Sequence, residues 1–141
     1  MNQYRYEEIT EGMEESFRVT VTEAMMAAFE GITGDCNPLH KSREFAGERG
    51  YENRVAYGML TASFLSTLAG VYLPGENSLI HEVDLKFVKP VYPGDTLEVK
   101  GSVIEKNHLF PVFTMKVQIM NQKGEKVLRG KMKIGVKDGE E

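Results

Sequence analysis

The chain has 141 residues, 41% hydrophobic and 27% charged, with a net charge of -4. That balance describes one soluble globular domain large enough to hold its own core. Lysine and arginine are scattered rather than clustered, which excludes a nucleic-acid footprint, and the single cysteine excludes an internal disulfide and suits a reducing compartment.

In chain order, residues 1–8 are polar and acidic and lack the apolar run of a secretory signal, so a cytoplasmic protein is expected. Residues 17–21 alternate and predict a short strand. Thr22 caps a following helix and Glu23 suits its positive end. Ala24, Met25, Ala27, Ala28 and Phe29 sustain that helix, and Gly31 and Gly34 close it. Asp35-Cys36-Asn37-Pro38 is a turn on local chemistry. Residues 42–46 predict a brief helical turn, and residues 47–56 irregular chain. Residues 59–73 predict a second helix, apolar on nearly every face and stopped by Pro74-Gly75. A helix of that kind is expected to be buried in the protein, being shorter than the roughly 20 residues that span a bilayer.

From residue 80 the period becomes two. His81, Val83, Leu85 and Phe87 oppose Glu82, Asp84 and Lys86. Pro90, Pro93 and Gly94-Asp95 make a turn, after which Leu97, Val99, Gly101 and Val103 alternate. Asn107-His108 is a connection, and Phe113, Met115, Val117 and Ile119 form the next strand. Gln122-Lys123-Gly124 turns the chain into a last strand in which Leu128, Met132, Ile134 and Val136 share a face. A helical front half and a four-stranded antiparallel meander predict an α+β domain over residues 1–141, its curved sheet wrapped around the apolar helix.

The chemistry is expected in Asp35-Cys36-Asn37-Pro38-Leu39-His40. Neither helix nor strand brings positions i and i+5 onto one face, so a loop must aim Asp35 and His40 if they act together. Such a pair can hold one water for proton transfer; equally, it can be an Asx turn with a loop histidine. Gly58 at the start of the apolar helix either eases a tight entry or lets a ligand reach the backbone N–H groups there. Ser63 and Ser66 are expected to bond back to helix carbonyls. Cys36 with His40 is a rival thiolate–imidazole pair, or Cys36 is simply a small thiol in a turn. His81 is expected to be a packed core or interface histidine and His108 solvated. No set of residues has zinc spacing, and no phosphate loop is present.

Gly34-Asp35-Cys36-Asn37-Pro38-Leu39-His40, then Phe45-Ala46, Val55-Ala56-Tyr57-Gly58-Met59-Leu60 and the stretch from Phe87-Val88-Lys89-Pro90 to Gly94-Asp95-Thr96-Leu97, resembles the MaoC-like (R)-specific enoyl-CoA hydratase family over residues 5–137. The resemblance implies a hot-dog fold, homodimers or higher homo-oligomers with sites at or near the subunit boundary, and acyl-CoA thioester substrates of fatty-acid metabolism. It implies no cofactor and no metal, and no nucleic-acid or membrane partner. By the same resemblance Asp35 and His40 are the catalytic pair, the Gly58 N–H is the oxyanion donor, Asn37 braces the loop and Ser66 supports the site. Many members carry His where this chain has Tyr57, so Tyr57 and Met59 are expected to shape the substrate pocket. The implied reaction is hydration of a trans-2-enoyl-CoA to an (R)-3-hydroxyacyl-CoA. Its rivals are a dehydratase on acyl-carrier-protein or other hydroxyacyl thioesters, a hot-dog thioesterase and a non-catalytic acyl-thioester binding subunit.

Overall fold

A computed structural model describes residues 1–138. After a single 3₁₀ turn at Tyr6–Glu8, strand β1 runs Glu14–Thr20 and helix α1 Glu23–Thr33. Two short helices follow, α2 at Pro38–Lys41 and α3 at Arg43–Glu48, and then α4 at Gly58–Thr67. Strands β2 (Ser78–Phe87), β3 (Thr96–Lys106), β4 (Val112–Met120) and β5 (Lys126–Val136) complete the chain. The alternating segments fall where the sequence puts them. So does the start of α1, where the Thr22 hydroxyl accepts from the Met25 N–H at 3.1 Å.

The sheet is antiparallel in the order β1-β3-β4-β5-β2. The expected simple meander is therefore corrected: β3, β4 and β5 are consecutive neighbours, but β2 lies beyond β5, at the opposite edge from β1. Residues 88–95 are thus a connection across the sheet, rather than a hairpin turn. Val91 is buried on that path, and its carbonyl accepts from the Ala56 N–H at 2.7 Å. The apolar faces of β3, β4 and β5 (among them Leu97, Val99, Phe113, Met115, Ile119, Leu128 and Ile134) are fully buried against Leu60, Leu65 and Leu68 of the central helical segment. Burial on this scale is the main stabilising contribution in a domain of this size.

The predicted second helix has two parts. α4 ends at Thr67, and Leu68–Tyr72 continue as a wider π turn in which the Leu73 N–H reaches the Leu68 carbonyl at 2.8 Å. Tyr72 stacks on Phe17 of β1 with ring centroids 4.9 Å apart. Gly75 then adopts φ +94°, and a Cβ there would sit 1.9 Å from the Asn2 carbonyl oxygen, so only glycine lets the N-terminal segment pair at this point. Nor is α4 apolar all round in effect. Met59, Ser63 and Ser66 form an exposed stripe, while Leu60, Thr61 and Leu65 are buried. His81 is exposed at a bulge of β2 with its ring lying against Gly135, so of its two expected places the core is excluded and an interface is left; His108 is exposed, as expected.

Candidate active site

The segment between α1 and α2 is shaped almost wholly by local hydrogen bonds. Gly34 ends α1 with φ 76°, its N–H on the Glu30 carbonyl. The Thr33 hydroxyl donates to the Phe29 carbonyl at 3.0 Å and accepts from the Asp35 N–H at 3.1 Å. Asp35 Oδ1 accepts from the Asn37 N–H at 3.1 Å, an Asx turn, and this leaves Oδ2 without a partner among the described residues. Asn37 Oδ1 accepts from the Leu39 N–H at 2.9 Å and so caps α2, with Pro38 at its first position. Asn37 thus braces the loop, as expected. The turn itself, however, runs on into a short helix that carries His40.

His40 is fixed by the chain on its other side. Its Nδ1 lies 2.6 Å from the Val55 carbonyl, and the Val55 N–H donates back to Leu39. A carbonyl can only accept, so Nδ1 carries the proton of the neutral ring and Nε2 is left with its lone pair. Arg54 adds a tie: it bonds the Glu23 carboxylate at the start of α1 and reaches the His40 carbonyl at 3.4 Å. The hydrogen bond from Arg54 holds the Glu23 carboxyl below its ordinary value of 4.5. The support it gives is therefore complete above that value and is lost as pH falls through the lower one.

Tyr57 links the two candidate catalytic residues. It is 3% exposed; its hydroxyl donates to the Asp35 carbonyl at 2.8 Å, and its ring lies 4.1 Å from that of His40 and 4.8 Å from that of Phe29. Burial, and after it the charges of Glu30 and Asp35, push the phenol above its ordinary range, which keeps the donor protonated at neutral pH. The sequence marked Tyr57 as pocket wall. In the structure its side chain clamps Asp35 and His40.

Two clefts share His40 and Gly58 in their walls. One, of about 450 Å³, also brings in Asp35, Phe29, Tyr57 and Met59. The other, of about 330 Å³, continues past Thr61 to Val55, Phe87, Val91 and Val127, with Tyr51 and Lys89 also in its wall. Asp35, His40, Gly58, Tyr57 and Met59 are thus brought together. α4 begins between the clefts, and no side chain caps it, so the amides of Gly58 and Met59 have no intrahelical acceptor. The helix dipole makes this point favourable to negative charge. Gly58 has no glycine-only conformation; it leaves room, since a Cβ there would lie 3.3 Å from the exposed Phe87 ring, which would have to shift by a few tenths of an ångström.

Ser66 is exposed on the outer stripe of α4 and lines neither cleft. Ser63 bonds back to the Leu60 carbonyl at 2.6 Å. Cys36 is an exposed free thiol that lines neither cleft. Among the described residues no three of His, Cys, Asp and Glu are grouped as metal ligands would be. Sequence reasoning missed Val55, whose contribution is a backbone carbonyl, and Phe87 and Thr61, which read as ordinary strand and helix residues. For Thr61 a signal existed: it sits three positions after Gly58, on the same helix face.

The MaoC like domain family matches residues 6–124. An (R)-specific enoyl-CoA hydratase of Rhodospirillum rubrum is 37% identical over 105 residues, covering 72% of this chain and 73% of that protein. Among solved structures, an (R)-hydratase from A. caviae involved in PHA biosynthesis superposes with a TM-score of 0.87 at 30% identity, covering 91% of this chain and 97% of that one. An R-hydratase from Pseudomonas aeruginosa, in its unliganded form, superposes with a TM-score of 0.88 at 28% identity, covering 95% and 86%.

The clamp role of Tyr57 separates its hydroxyl from its ring. Tyr57→Phe keeps the stack and loses one hydrogen bond, and is expected to cost about 0.5–1.5 kcal/mol. Tyr57→Ala is expected to cost about 3–5 kcal/mol. Urea midpoints of the two variants check the split; equal midpoints would remove the clamp.

Proposed function

The chain belongs to the MaoC-like domain family, and from that membership we propose that it reversibly adds water to a trans-2-enoyl-CoA to give an (R)-3-hydroxyacyl-CoA. The observation that carries this reading is that one cleft contains Asp35, His40 and the start of α4 at Gly58. The (R) hand comes from the relatives, whose names state it.

The ionised Asp35 carboxylate and the neutral His40 Nε2 are both acceptors. A water between them donates one hydrogen to each and keeps its lone pair for C3 of the enoyl group. As the C3–O bond forms, the water keeps one proton as the new hydroxyl and passes the other to the Asp35/His40 pair, which then gives it to C2 and returns to its starting state. The C2–C3 π bond is consumed, and no redox change or cofactor is needed. Between these events negative charge gathers on the thioester oxygen, where the Gly58 N–H donates to it and the α4 dipole lowers its energy. Donors of this kind are worth on the order of 3 kcal/mol of barrier. The relatives and the absence of any role for Cys36 in either cleft favour this chemistry over thioester hydrolysis through a thiol.

The working unit is a homodimer in this reading. β2 is an edge strand in which Val83 and Phe87, opposite the buried Met132 and Leu128, leave apolar surface exposed, and Phe87 lies against Gly58 at the start of α4, whose outer stripe exposes Met59 and Ser66. A long apolar edge is a liability unless it is covered. A second copy paired along β2 covers it, sets the cleft at the boundary through Phe87 and Met59, and gives Ser66 a partner-facing place. The setting is cytoplasmic; no helix among the described residues is long and apolar enough to cross a membrane.

General acid–base assistance supplies about 10²–10⁴-fold. Asp35→Asn and His40→Ala are therefore each expected to slow loss of crotonyl-CoA enoyl absorbance at least about 100-fold, and near wild-type turnover in both would refute the mechanism. Sedimentation is expected to give twice the 15.9 kDa chain mass for the wild type and a single-chain mass for Val83→Lys; a wild-type monomer would contradict the dimer.

A further inference from the structure

Thr61 is 2% exposed, and its Oγ1 is the one buried side-chain oxygen or nitrogen among the described residues with no hydrogen-bond partner. A buried hydroxyl left unpaired is costly, and threonine in a helix ordinarily avoids this by bonding a carbonyl of the preceding turn. The neighbouring Ser63 does so, through Leu60. Thr61 does not, although it lies in the wall of the cleft that also contains His40 and Gly58.

Its position gives the hydroxyl a direction. Helical side chains lean toward the N-terminus and cover the turn before their own Cα, so Thr61 leans over Gly58, three residues earlier. Gly58 has no Cβ, and its N–H has no intrahelical acceptor. The Gly58 amide and the Thr61 side chain thus line one cleft, while the Thr61 hydroxyl itself is buried. Threonine populates two χ1 rotamers in helices, and the step between them exchanges hydroxyl and methyl between the packed side and the cleft side.

We infer that Thr61 is a further substrate-contacting residue: its hydroxyl turns to the cleft when a thioester enters and donates to the same carbonyl oxygen as the Gly58 N–H. This rests on the hydration reaction proposed above and adds a second side to its oxyanion site. The contact strengthens as the oxygen gains charge, so its loss acts on kcat more than on KM. The contrasting arrangement, in which Thr61 only packs, makes the hydroxyl dispensable.

Thr61→Val keeps the shape and removes the hydroxyl; Thr61→Ser keeps the hydroxyl and loses a methyl. With crotonyl-CoA, Thr61→Val is expected to lose at least about 10-fold in kcat, below the on-the-order-of 10²–10³-fold effect of a principal donor because the Gly58 N–H remains, with KM little changed, while Thr61→Ser stays near wild type. A second reading needs no turnover. The carbonyl stretch of bound butyryl-CoA, which cannot be hydrated, is expected at lower frequency in wild type and Thr61→Ser than in Thr61→Val. Wild-type kcat in Thr61→Val, equal loss in both variants, or an unmoved carbonyl band each overturns the inference. If wild type itself fails to hydrate crotonyl-CoA, the reaction falls, whereas an active wild type with an equally active Thr61→Val removes Thr61 alone.

Discussion

The hydrogen bond between His40 and the Val55 carbonyl is the constraint on which the site depends. It joins α2 to the segment that leads into α4, two pieces of chain that share no regular structure. It also decides the chemistry of the ring. With Nδ1 held by an acceptor, Nε2 is the free nitrogen, and it belongs to a ring that forms part of the cleft wall. A ring anchored the other way would carry a hydrogen where the water's hydrogen must go.

Around that bond the fold supplies rigidity in layers. The Asx turn and the Asn37 cap set the backbone of the Asp35–His40 segment. Tyr57 then holds Asp35 by its carbonyl and His40 by its ring, and Arg54 ties the same segment to the start of α1. The helix that follows Tyr57 is the one around which the sheet curves, so its Gly58 end, the proposed oxyanion donor, is positioned by the hydrophobic core itself. Sites placed by packed elements hold their geometry better than sites on free loops. The exposed edge of β2 adds the last constraint, since Phe87 serves both the cleft wall and the surface that a second copy covers in the proposed dimer.

Much of this was legible in the sequence, for reasons that differ by element. The strands of the back half show because a half-buried strand must alternate. Asp35, Asn37, His40 and Gly58 stand out because turn chemistry and a helix start are local. Sheet order was not legible. Residues 88–95 carry turn residues whether they close a hairpin or cross a sheet, and only Val91's burial and its bond to Ala56 tell the two apart. Val55 was invisible because a backbone carbonyl leaves no mark in a sequence. Thr61 was legible only through its spacing from Gly58, and the exposure of Ser66 was hidden by a helix whose outer stripe reads as core in the sequence.

The most direct measurement is ¹⁵N NMR of the His40 ring in neutral protein, assigned through loss of its signals in His40→Ala. The account predicts the tautomer with its proton on Nδ1 and an unprotonated Nε2, and a change in the Nε2 resonance alone as substrate analogue fills the cleft. A proton on Nε2, with Nδ1 bare, would contradict the arrangement from which the mechanism is built.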